Sequence, residues 1–144
     1  MILRMRYCMA EAPLQGLLDL TNGVNPARYS VEHTCTLLDD GRELWLVHKA
    51  AGPRGGAGAL YRVALPVYSP RVLPNDLRAT ASCTCPDFRF GAQRLGGVCK
   101  HVLMCYCWQG CYAGTGERWL YTDAYLATLR FFRSAYTATE VQHG

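Results

Sequence analysis

Hydrophobic and polar positions change period along this chain: helical spacing near the start, alternation through the middle, and helical spacing again towards the end. Leu14, Leu17 and Leu18 fall on one helix face with Gly23 as a stop, which predicts a short amphipathic helix over 12–21. Val31, His33, Cys35 and Leu37 alternate with their neighbours and so share one face of a strand, and Asp39-Asp40-Gly41 reads as the turn into a second strand over 43–49. These two form a hairpin. Residues 51–58, with four glycines and a proline, read as a loop between strands. Pro66, Pro70 and Pro74 exclude a central strand, so 66–78 is expected to be an irregular insertion before a strand at 79–83. Residues 99–108 are predicted as helix, broken by Gly110, Gly114 and Gly116, and a last helix runs over 122–136 with Thr122 or Asp123 as its cap. There is no internal repeat.

The order helix, antiparallel strands, helix, helix is that of a small α+β domain. At 144 residues and half apolar, the chain can bury one core and has no room for a separate catalytic domain. Arg4 and Arg6 open the sequence, but Cys8, Glu11 and Pro13 intervene before any apolar run reaches signal-peptide length. An intracellular protein, nuclear or cytoplasmic and not secreted, is the expectation. No apolar run approaches the roughly 18 residues that a membrane span needs, so no membrane partner is expected. Eight cysteines in a reducing compartment point to metal or redox chemistry, where in a secreted chain they would point to disulfides.

The spacing of four residues carries that chemistry. Cys83-Thr84-Cys85, thirteen further residues, then Cys99-Lys100-His101 form a C-x-C, C-x-H pattern: three thiolates and an imidazole, a complete tetrahedral set for one structural Zn²⁺ with no position left for water. In a strand, residues two apart point to one side, so Cys83 and Cys85 can converge if the chain bends at Pro86. On a helix, residues two apart lie about 200° round the axis, so Cys99 must precede a helix and His101 lie in its first turn. The helix N-terminus, Lys100 and the metal would then together favour the thiolate of Cys99.

Cys83-Thr84-Cys85-Pro86-Asp87-Phe88, followed at a distance by Cys99-Lys100-His101 and the apolar Val102-Leu103-Met104-Cys105-Tyr106, resembles the SWIM zinc finger. Leu44-Trp45-Leu46-Val47 and Leu60-Tyr61-Arg62-Val63-Ala64-Leu65 look like the two strands that precede the C-x-C strand in such domains, so the resemblance spans roughly 43–108. It implies a ββα-like core in which a small antiparallel sheet and a zinc-bound finger helix pack together. Domains at 1–42 (helix and hairpin extension), 43–108 (finger) and 109–144 (helical extension) follow from it. SWIM-containing families include transposases, chromatin enzymes and small stand-alone recombination factors, and this chain is similar in size to the last.

Other residues invite sharper readings. Cys105, Cys107 and Cys111 could form a second ligand set, but packed or plain thiols fit better. His33 and His48 sit in no nucleophile or metal motif, so structural histidines are expected. The deaminase pattern H-x-E with P-C-x-x-C is missing, and the glycine loop lacks the Gly-Lys-Ser/Thr ending of a phosphate loop; no enzyme and no small-molecule substrate is expected. Phe88 should pack under the finger helix, and Phe90 could stack on bases. Residues 41–108 carry nine basic side chains against three acidic ones, more than the whole chain's net charge of +4. A nucleic-acid partner contacted by Arg89, Arg94, Lys100 and Phe90 is therefore the first functional reading. Tyr125, Leu129, Phe132 and Tyr136 form a stripe that could instead dock a protein partner or a second copy. The alternative is thus a zinc-stabilised adaptor or structural subunit, cellular or viral, with no direct nucleic-acid contact.

Overall fold

Strands that follow one another in the chain lie next to one another in the sheet. The structure, a computed structural model, describes residues 5–9, 25–52, 56–67, 74–86, 88 and 98–111. Strands β1 (Met5–Cys8), β2 (Tyr29–Leu37), β3 (Glu43–Lys49), β4 (Ala59–Leu65) and β5 (Ser82–Cys83) form an antiparallel meander in the order β1-β2-β3-β4-β5. Two α-helices are described, α1 (Pro74–Thr80) and α2 (Lys100–Cys111). The architecture is a small mixed α+β one. The helices expected over 12–21 and 122–136 lie outside the described residues.

Pairing sets the core face. Tyr7, Val31, Val47 and Tyr61 stand opposite one another across four strands, and Trp45, Val63 and Cys83 form the next row. This face packs on α2, whose residues from His101 to Gln109 are all buried. Val102-Leu103-Met104-Cys105-Tyr106-Cys107-Trp108 contains no charge and no polar stripe, and a helix apolar all round must be enclosed on every side. Gly110 does not end it, because the helix continues to Cys111. One glycine costs a helix only about 1 kcal/mol, which the packing of the preceding turns offsets.

β1 was not anticipated by the sequence pattern. It is held at the sheet edge from across the fold: the Tyr7 and Trp108 rings stack at 4.5 Å, and Trp108 Nε1–H donates to Met9 Sδ at 3.1 Å.

The hairpin of β2 and β3 forms where expected, but its alternation breaks. Register shifts between His33 and Thr36, where Cys35 adopts φ +57°. Two extra residues on β2, Thr34 and Cys35, make a bulge there, in which Thr34 is buried and Cys35 is exposed. Thr34 Oγ1 pins the bulge by donating to Leu44 O at 2.7 Å and accepting Thr36 N–H at 3.2 Å. Gly41, at φ +85°, closes the turn, a conformation glycine adopts without steric cost.

The strand expected at 79–83 is also corrected. Residues 74–80 are helix, closed by Ala81 N–H donating to Leu77 O at 2.9 Å, and the strand is only Ser82–Cys83. Pro74 opens α1, where its missing N–H costs nothing and its fixed φ suits a first helical residue. Arg42 then locks the junction: its Nη1 donates to Thr80 O at 2.9 Å and to Ser82 Oγ at 3.0 Å, while its Nε donates to Asp40 Oδ2 at 2.7 Å.

Candidate metal centre

Cys83 owes its position to the sheet. It pairs with Val63 of β4 and points with it into the core, and the pairing extends one residue further through Thr84 N–H to Arg62 O at 3.0 Å and Arg62 N–H to Thr84 Oγ1 at 2.9 Å. Cys85, two residues on, follows on the same side just before Pro86. Its backbone N–H donates to Cys83 Sγ at 3.4 Å, and Phe88 N–H donates to Cys85 Sγ at 3.3 Å. Phe88 is half-buried and packs against the core, as expected.

The second pair comes from the start of α2. Cys99 immediately precedes the helix and its carbonyl accepts Leu103 N–H at 3.2 Å; His101 lies in the first turn. The turn places His101 Nδ1 3.8 Å from Cys83 Sγ and 3.9 Å from Cys99 Sγ. All four donor atoms lie within 4.8 Å of one another, and all four residues are buried. Zinc with Zn–S near 2.3 Å and Zn–N near 2.0 Å sets its tetrahedral donors roughly 3.6–3.8 Å apart, so the cluster fits the ion. Among the described residues this is the one such group.

Electrostatics agree with a site built for a cation. The three thiols share negative charge unequally. Hydrogen bonds from Cys83, then from Cys99, hold the Cys85 thiol far below its ordinary value. Its counterpart Cys83 is pushed up to about 12, first by that same hydrogen bond to Cys85, and Cys99 is raised by its hydrogen bond to Cys83 and then by Cys85. Crowding of the three sulfurs thus raises the Cys99 thiol despite the helix N-terminus beside it. A zinc ion would supply the positive charge that makes thiolates of all three.

The imidazole is held by rings. Tyr61 stacks on His101 at 4.1 Å and Tyr29 flanks it at 6.0 Å, while Nε2 is buried with no hydrogen-bond partner among the described residues. Ligand histidines usually donate that N–H to a carboxylate or carbonyl. Here aromatic packing takes over the orienting role, and a contact between side chains forty residues apart leaves no signature in sequence.

Cys105 and Cys107 point elsewhere and are packed apolar residues, as expected for thiols on an enclosed helix. Burial pushes the Cys107 thiol up to about 12, and burial followed by the nearby Cys83 raises Cys105 well above 9. Folding therefore favours their protonated forms. The stability they contribute is complete below the ordinary thiol value near 9 and is lost as pH rises towards 12. In native zinc-loaded protein near neutral pH, iodoacetamide is expected to leave both unlabelled, and to label both once the chain is unfolded. Equal labelling in the two states, read by peptide mass, would contradict this burial.

Residues 72–104 match the SWIM zinc finger family model. The matched segment contains α1, β5, all four ligands and the first turn of α2. It is narrower than the 43–108 resemblance, since β3 and β4 lie outside it. No curated protein and no solved structure matches the chain. Cys83, Cys85, Cys99 and His101, all within the matched segment, are positioned to bind one zinc ion. Of the expected nucleic-acid contacts, Lys100 sits half-buried between two ligands, while Arg89, Phe90 and Arg94 lie outside the described residues. No described helix is long and apolar enough to cross a membrane.

Proposed function

We propose that this zinc-finger protein is an intracellular, nucleic-acid-associated accessory factor, of the kind that joins a recombination or replication complex, and that its finger binds without catalysing. The enclosure of the metal centre carries the reading. All four donors are protein side chains and all four are buried, so an ion held there has no side open to a substrate or an activated water. Recognition then falls to the surface around the finger, and the segment that builds it is rich in arginine.

The basic residues divide by task. Arg42 is occupied by Asp40, Thr80 and Ser82, and the Lys49 ammonium lies over the Tyr29 ring at 5.9 Å. Arg62 and Arg78 are exposed. With Arg89, Arg94 and Lys100 they supply the charge that phosphate contact needs.

Zinc-loaded protein is expected to bind single- or double-stranded DNA at micromolar concentration or tighter, with log affinity falling linearly in log salt. Arg89→Glu with Arg94→Glu should weaken binding across all sequences and flatten the duplex salt slope by about two. No binding at low salt would replace this reading with the adaptor role, in which Phe131 or Phe132 substitutions would abolish partner capture.

A further inference from the structure

The bulge in β2 gathers three chemically complementary side chains that the zinc site does not use. Cys35 stands on it exposed, with Sγ 4.0 Å from Nδ1 of His33. Nε2 of His33 lies 3.0 Å from Oε2 of Glu43 on the neighbouring strand. The imidazole is further fixed by stacking on Trp45, ring centroids 4.3 Å apart and planes 10° from parallel. Cys35 thus has access to solvent, while His33 and Glu43, with side chains 26% and 15% exposed, are sheltered.

The order of contacts dictates proton positions. A carboxylate accepts the hydrogen of Nε2, which leaves the Nδ1 lone pair facing the sulfur. Nucleophile, base and an acid that orients the base form the arrangement that activates side-chain thiols. Without the bulge, strict alternation would send Cys35 towards the same side as His33, into the sheet face. The two extra residues let it turn outward beside the ring.

Location limits what the thiol can attack. The described cavity near the hairpin, about 290 Å³, is lined by Leu38, Arg42, Leu44, Arg62 and Thr84 among others, and Cys35 is not part of it. Among the described residues that cavity gives Cys35 no wall on which a large substrate could rest, whereas a small disulfide needs only access.

We propose that Cys35 is a reactive thiol that undergoes exchange with small disulfides, with His33 as its base and Glu43 as the residue that positions the base. The Cys35 Sγ attacks one sulfur of the disulfide as its proton passes to His33 Nδ1. A new bond to Cys35 forms, the old S–S bond breaks, and its electron pair leaves on the released thiolate, which takes up the proton. One disulfide is consumed and one is formed, so no further oxidant is needed.

Among the described side chains, the competing thiols are predisposed to be slow. Cys83, Cys85 and Cys99 are buried in the metal centre, Cys105 and Cys107 in the core, and Cys8 is half-buried. Cleavage after Arg28 and Arg42 releases Cys35 in a peptide with no other cysteine, so its modification can be followed directly. Zinc-loaded full-length protein would be exposed to limiting glutathione disulfide beside a synthetic peptide of residues 29–42. Cys35 is expected to be modified first, roughly tenfold or more faster than the same cysteine in the peptide, with zinc retained. His33→Asn should bring the rate down to that of the peptide. Glu43→Gln, which keeps a cross-strand hydrogen bond, should slow the reaction several-fold and gives the same reading should His33→Asn loosen the hairpin. A wild-type rate equal to the peptide's, earlier modification of Cys8, or wild-type rates in both variants would overturn the proposal.

Discussion

Stripping zinc from the protein is expected to dismantle the finger and to loosen α2 from the sheet, because the ion closes the link between them. Two of its ligands come from β5 and the residues just after it, and two from the start of α2. Structural zinc contributes on the order of 10 kcal/mol or more to the folding of finger peptides, comparable with the whole stability of a small domain. Dialysis against a strong chelator should therefore lower the melting temperature sharply and red-shift the emission of Trp45 and Trp108, both buried against this core. Cys99→Ala or His101→Ala should lose zinc and stability together; a variant that kept one zinc per chain and melted like the wild type would remove the assignment. The pH dependence has a definite sign. Because the Cys83 thiol is pushed up to about 12 and Cys99 is raised as well, zinc must displace protons to bind near neutral pH, so affinity should rise with pH and proton release should accompany binding.

The metal centre was legible because each ligand pair obeys a local geometric rule. A strand brings residues two apart to one side, and a helix forbids it, so the chain had to place Cys99 before α2 and His101 inside it, which it does. How the three thiols shift one another was not legible, since that depends on distances between them that no local rule fixes. The hairpin turn was readable from Asp39-Asp40-Gly41, but the bulge at Cys35 was not. Alternation assumes one residue against one, and the bond from Thr34 Oγ1 to Leu44 O that breaks it joins two strands. α1 was missed because three prolines were weighed as strand breakers, when Pro74 is placed where a helix begins. β1 is four residues long and carries Arg6 and Cys8, so neither length nor pattern marks it. Its anchor lies ninety-nine residues away in the chain, at Trp108.

That anchor can be tested alone. Trp108→Ala removes a buried indole, its stack on Tyr7 and its hydrogen bond to Met9 Sδ, and large-to-small changes of this kind cost about 3–5 kcal/mol. The loss should be uneven. β1 occupies the end of the sheet and pairs with β2 on one side, so its amides should lose hydrogen-exchange protection before those of β3 and β4. Zinc should stay bound, because Cys99 and His101 lie two turns back along α2 from the missing ring. Trp108→Phe separates the two contributions: it keeps a ring for Tyr7 to stack on, gives up only the N–H···S bond, and should cost far less. If Trp108→Ala melted like the wild type with β1 still protected, β1 would have to be held by its pairing with β2 alone. If it lost zinc as well, α2 would be acting as one rigid unit, in which packing at its far end holds the ligands at its start.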